Sequence, residues 1–173
     1  MKKTLQTLGV AAAMTFGVQA NEQLPDFGVF PAGLILDEFG TGPVYDVDSI
    51  LDSGTPVIID AFAVWCSPCW SYHTGGTLET VYNSIGQGGT GDVMIFGVEA
   101  DASEPEADMD GGGSSVGDWI TGTPYPMCND DNIAGMINLA YYPTLILVCP
   151  DRTVTEVGQV SASAWETAVG NCG

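Results

Sequence analysis

The feature that most constrains the fold is a junction. Pro56-Val57-Ile58-Ile59-Asp60-Ala61-Phe62 is a continuous apolar run rich in β-branched residues, and it leads directly towards Trp65-Cys66-Ser67-Pro68-Cys69-Trp70. Such a run suits a strand covered on both faces, as at the centre of an α/β sheet. Residues from about Cys69 to Ile85 read as a helix, with Leu78, Val81, Tyr82 and Ile85 at helical spacing. The cysteine pair thus stands where a strand passes into a helix. There, unsatisfied N–H groups and the helix dipole stabilise a thiolate on the first sulfur. The second cysteine, one turn inside, can reach back and resolve a mixed disulfide. The spacing closes a small ring and permits reversible oxidation.

Other chemistries suit these residues less well. A zinc site would need a second ligand pair, and the remaining cysteines and the single His73 do not supply matching spacing. Haem attachment would need His directly after Cys69, where Trp70 stands. A purely structural disulfide is the plain alternative, but the strand-to-helix junction is the redox context.

The rest of the chain reads as one α/β domain. Asn21 to Gly42 is rich in Pro, Gly and short apolar runs, of which Phe27 to Phe30 and Leu34 to Leu36 suit short strands or an N-terminal extension. Val93 to Val98 is a second buried strand, followed by an acidic, Gly-rich loop from Asp101 to Gly117. A helix is expected over Asp131 to Ala140, with Asp130 or Asp131 near its N-cap. Tyr142 to Val148 then opens with Pro143 and becomes a third strand. A turn at Pro150 to Thr153 leads to a shorter strand, Val154 to Val157. Ser161 or Ser163 caps a final helix running to about Asn171. At 173 residues there is room for one ordinary domain and no internal repeat is visible.

With these motifs in place, the chain resembles the thioredoxin superfamily, and within it the secreted, TlpA-like thiol–disulfide oxidoreductases. The resemblance covers about residues 25–172 and is sharpest at Val57 to Cys69 and at Tyr142-Pro143-Thr144. It implies a thioredoxin fold, a central mixed β-sheet flanked by helices, here with an N-terminal extension. It implies Cys66 as nucleophile, Cys69 as resolving thiol and Pro143 as a cis-proline facing the pair. In that family the cis bond presents neighbouring backbone groups to an extended substrate strand. Trp65, Ser67, Pro68 and Tyr142 are the expected substrate-contacting rim. The family also has a buried acid matching Asp60 that helps move the proton of the resolving thiol. Desolvation there should raise the carboxyl pKa and poise it as a base. The contrary reading is a solvated, idle Asp at the strand end.

Departures from the family pattern bear on redox character. The dipeptide between the cysteines is Ser-Pro, with no His to stabilise the thiolate, and Trp70 follows where many relatives carry Lys or Arg. These features lean towards a reductase or isomerase over a strong oxidant. His73, one helical turn after Cys69, reads as packing or solvent contact more than as a site residue.

Cys128, Cys149 and Cys172 remain, and an odd number cannot all pair. Cys149 ends the third strand and Cys172 the final helix, so a structural Cys149–Cys172 disulfide is expected, with Cys128–Cys149 and Cys128–Cys172 left open. Within the acidic loop, Glu106, Asp108 and Asp110 precede Gly111 like half of a calcium loop. The first position is Glu, however, and Gly117 cannot supply the closing bidentate carboxylate, so a solvated acidic loop is the better reading. No metal and no cofactor beyond the Cys66–Cys69 couple is expected.

Charge and targeting complete the expectations. The chain carries 22 Asp+Glu against 3 Lys+Arg, a formal net charge of −19. Residues 1–20 have the parts of a secretory signal: Lys2 and Lys3, a short apolar stretch from Leu8 to Val18, and small residues before a cut after Ala20. The mature chain, residues 21–173, would then hold one cation, Arg152, against the 22 acids, a formal −21. Such a surface repels nucleic acid and anionic bilayers alike, and the apolar run is too short for a membrane anchor. With 45% hydrophobic and 14% charged residues, the chain is folded rather than disordered. The expectation is therefore a monomeric, periplasmic or secreted oxidoreductase, without membrane insertion after cleavage. Its partners would be protein thiols and disulfides and an unidentified redox partner. The alternative is a secreted binding or structural module that uses the 66–69 disulfide as a clamp.

Overall fold

The structure, a computed structural model, describes residues 29–173; the expected signal segment and the residues Phe27 and Gly28 lie outside them. Its organising element is the apolar run seen in the sequence. Val57–Phe62 forms β3, with every residue buried, and it lies at the middle of a five-stranded sheet ordered β5-β4-β3-β6-β7. β4 (Met94–Glu99) runs parallel to β3 and β5 (Met127–Asn129) parallel to β4, whereas β6 (Thr144–Val148) and β7 (Val154–Glu156) complete the other half in antiparallel pairing. The sheet is mixed, and its centre needs apolar side chains on both faces.

Alternation along β3 divides the core. Ile58 and Phe62 pack with Cys66, Cys69, Trp119, Tyr125 and Trp165 on one side, while Val57, Ile59 and Ala61 pack with Leu36, Leu51, Cys128 and Ile133 on the other. The first side is covered by α2 (Ser67–Thr74), α3 (Thr77–Ser84) and α5 (Ala162–Gly170). The second is covered by the hairpin of β1 (Ile35–Asp37) and β2 (Val44–Asp46), by α1 (Val47–Asp52) and by α4 (Asn132–Met136).

Several boundaries differ from the expectation. The single helix expected over Cys69 to Ile85 is two helices, broken at Gly75-Gly76, where Gly76 takes φ +71°. A left-handed residue ends the hydrogen-bond ladder, and glycine adopts it without a Cβ penalty. The helix expected over Asp131 to Ala140 keeps only Asn132–Met136, and Asn138 at φ +46° follows it. α1 and β5 have no counterpart in the sequence reading. The acidic loop is more ordered than its composition suggests: Glu106–Met109 forms a 3-10 turn, and Trp119 N–H donates to the Met109 carbonyl at 2.9 Å. Among the described residues, no helix is long and apolar enough to cross a membrane.

Candidate active site

β3 ends at Phe62 and delivers the chain to Cys66, the N-cap of α2. The Cys66 amide donates to the Ala63 carbonyl at 2.9 Å, and Cys66 Sγ accepts from the Cys69 amide at 3.2 Å. Pro68 stands in the first turn, where its missing N–H costs nothing. Cys66 and Cys69 are joined in a disulfide with Cα atoms 5.3 Å apart. Both sulfurs are at the N-terminal end of α2, where unpaired amides and the macrodipole favour negative charge.

Across from this end, Tyr142-Pro143 is a cis peptide bond at the start of β6. The Trp65 indole meets the Tyr142 ring edge-on, with centroids 5.7 Å apart. Trp65, Cys66, Pro68, Leu139 and Tyr142 line an open groove of about 670 Å³. Trp65 is 45% exposed, an unusual placement for so large an apolar ring. Its Nε1–H donates to Asp101 Oδ2 at 2.9 Å, which turns the ring towards the groove. Gln159 Nε2 donates to the Pro68 carbonyl at 3.1 Å, tying the loop before α5 to the first turn of α2.

Asp60 is buried on the Cys66–Cys69 side of β3, by its alternation with Ile58 and Phe62. Its Oδ1 has no hydrogen-bond partner among the described residues. Burial pushes its carboxyl up to about 7. Desolvation is the cause, and it brings the carboxyl near neutrality, where it can both take and release a proton. Tyr72 and Tyr125 lie close enough for their phenols to feel its charge.

A second buried acid went unnoticed in the sequence. Glu99 ends β4, is 1% exposed, and accepts from the backbone N–H of Val64 and of Asp101. Burial pushes its carboxyl up to about 7, against the opposing pull of those two amides. The available signal is an acid directly after an apolar strand; with the strand taken as Val93 to Val98 and the acidic loop as Asp101 to Gly117, Glu99 falls in neither.

The remaining candidates fall elsewhere. His73 is half-buried beside Trp70 and Trp119, with Nε2 within 3.2 Å of Thr123 Oγ1 and Nδ1 within 3.3 Å of the Tyr125 hydroxyl. Burial holds it below the ordinary imidazole value. It is a packed residue away from the groove. Cys149 and Cys172 are disulfide-bonded with Cα atoms 5.2 Å apart, and Cys128 is a free, buried thiol pushed up to about 12. Glu106, Asp108 and Asp110 do not converge: Glu106 accepts from the Gly40 amide, Asp108 from the Ser114 amide, and Asp110 forms an isolated bridge with Asp118. Among the described residues, no group of three or more His, Cys, Asp or Glu side chains could hold a metal ion.

No protein-family model and no curated protein matches the chain. Solved structures do. DsbF of Mycobacterium tuberculosis superposes with a TM-score of 0.61 at 17% identity, covering 81% of this chain and 95% of that one. A secreted thiol-disulfide isomerase from Corynebacterium glutamicum gives 0.60 at 18% identity, covering 81% and 82%. The exposed lipoprotein thioredoxin of Streptococcus pneumoniae gives 0.57 at 19% identity, covering 80% and 98%. At these identities the likeness is one of fold. The chain has the thioredoxin fold, and the solved structures similar to it include thiol-disulfide oxidoreductases.

Proposed function

We propose that this chain is an extracytoplasmic thiol–disulfide oxidoreductase acting on polypeptide disulfides. The observation that carries the reading is the placement of Cys66: at a helix N-terminus, joined to Cys69, and opening into a groove bounded by Trp65 and the Tyr142–Pro143 cis bond. In the reduced form, Cys66 thiolate attacks one sulfur of a substrate disulfide. A Cys66–substrate mixed disulfide forms, and the first substrate sulfur leaves as a thiolate that takes a proton. Cys69 passes its proton to the Asp60 carboxylate and attacks Cys66 Sγ. The Cys66–Cys69 disulfide forms and the second substrate sulfur leaves. Two electrons have moved from the protein dithiol to the substrate, and a dithiol partner must return them.

No cofactor is needed beyond this couple. Trp65, Ser67, Pro68 and Tyr142 form the rim that an extended polypeptide would contact, with Pro143 behind them. An extracytoplasmic setting is supported by residues 1–20, by the Cys149–Cys172 disulfide, and by neighbours described as secreted or exposed.

The redox direction follows from the missing cations. Arg152 is the only Lys or Arg after residue 20, and its guanidinium is engaged by Asp48 at 2.7 Å. With helix dipole and amides as the thiolate's support, Cys66 should be less acidic than in strong oxidants, which favours reductase or isomerase work. A Cys69→Ser variant should accumulate mixed disulfides on Cys66. The couple should poise nearer the roughly −270 mV of a reductase than the roughly −120 mV of an oxidant. A variant that captures no polypeptide, with a wild type unable to reduce a model disulfide, would leave a structural clamp as the reading.

A further inference from the structure

Glu99 uses both carboxylate oxygens on backbone amides of the active-site rim. Oε2 accepts from Val64 N–H, two residues before Cys66, and Oε1 accepts from Asp101 N–H at 2.7 Å. Each contact continues outward. Val64 belongs to the turn that carries Cys66, and its carbonyl accepts from Val116 at 3.0 Å. Asp101 holds the Trp65 indole through Oδ2 and caps Ser103 through Oδ1. One buried carboxylate therefore anchors the backbone beneath the nucleophile and, through Asp101, the aromatic wall of the groove.

We propose that Glu99 is a positioning residue whose ionised carboxylate holds the Val64–Cys66 turn and the Trp65 wall in their substrate-gripping arrangement. Both groups aimed at it are N–H donors, so only the ionised form satisfies both without leaving a hydroxyl hydrogen unplaced. Protonation removes one acceptor and loosens one of the two contacts. Burial places this change near neutral pH. Asp101 and Glu104 on the following loop push in the same direction, and the other titratable groups on the elements packed against it are Tyr142 before β6, Asp60 on the same face of β3 and Asp130 after β5. None is a cation. The grip on a polypeptide should weaken as pH falls through neutrality.

The kinetic consequence rests on the proposed thiol–disulfide activity; the structural one does not. In the oxidised full chain, the Val64 amide and Trp65 indole proton resonances should titrate together between pH 5 and 8.5 with a midpoint near 7. In Glu99→Gln the Val64 titration should vanish, and in Asp60→Asn it should persist. Resonances that do not move with pH, or a Val64 titration lost in Asp60→Asn, would overturn the proposal; the Asp60 comparison decides the matter even if Glu99→Gln fails to fold. With insulin and oxidised glutathione as disulfide substrates, Glu99→Gln should lower kcat/KM for insulin about tenfold at pH 8 and that for glutathione by a smaller factor, since only the polypeptide uses the Trp65 wall. An equal loss on both substrates would overturn the groove's part. Absence of all disulfide chemistry would instead remove the proposed function and leave the resonance titration standing.

Discussion

Trp65 and Tyr142 meet edge-on with centroids 5.7 Å apart, and each directly precedes a residue of the proposed redox site, Cys66 and Pro143. The two chain segments that form the site are thus joined by an aromatic contact at its mouth. Trp65 is also 45% exposed, so its removal uncovers little core. Trp65→Ala should leave the melting temperature nearly unchanged. It should lower kcat/KM for a polypeptide disulfide about tenfold, with a small disulfide spared, because it removes apolar wall and not sulfur chemistry. Steady-state kinetics on both substrates, beside a thermal melt, would check this.

Asp60 couples stability to pH. Its folded-state pKa, about 7, lies above the ordinary value of 3.8, so between these limits the folded chain binds a proton that the unfolded chain has released. The stability contribution is fully present below about pH 4 and is lost as pH rises to about 7. Three pKa units correspond to about 4 kcal/mol. Asp60→Asn should therefore be more stable than wild type at pH 8 by up to about 4 kcal/mol, and indistinguishable near pH 4. Glu99 has the same sign, so part of the slope should survive in the variant. Urea unfolding of the oxidised proteins at both pH values measures the difference.

The strand-to-helix junction that carries Cys66 and Cys69 was legible because its signals are local. An apolar β-branched run, a C-x-x-C pair and a Tyr-Pro step before a strand each occupy a few consecutive residues. Glu99 was not legible, since its partner Val64 is 35 residues away and the contact exists only once β3 and β4 pair in register. His73 is packed, as its lone position on a helix suggested, but its partners Thr123 and Tyr125, at separations of 50 and 52, were hidden for the same reason. The break between α2 and α3 was hidden for another reason. Leu78 and Val81 keep the helical period after Gly76, so periodicity alone reads through the turn. β5, three residues long, is too short to show a period at all.

Glycine substitutions should separate packing from propensity. A Cβ on Gly117 would collide with the six-membered ring of Trp70, which stands edge-on to Trp119 at 4.9 Å. Gly117→Ala should therefore cost about 1–3 kcal/mol and shift the tryptophan emission. Gly135, inside α4, has nothing within 4 Å of its would-be Cβ. Gly135→Ala should be neutral or stabilising by up to about 1 kcal/mol, since alanine is the better helix former. Equal destabilisation by the two would contradict the packing assigned to the acidic loop.

The Cys149–Cys172 bridge should act on stability without touching redox chemistry. It joins the end of β6 to the end of α5 across 23 residues of sequence. Closing a loop of that size constrains the unfolded chain by about 3 kcal/mol. The double Cys149→Ser, Cys172→Ser variant should lose about that much while its Cys66–Cys69 reduction potential stays within experimental error of wild type. Cys128 supplies an internal control. Buried, with its thiol pushed up to about 12, it should resist a maleimide in the native double variant and react only on unfolding. Rapid labelling of Cys128 under native conditions would instead show that the bridge holds the sheet closed and not merely the C-terminus in place.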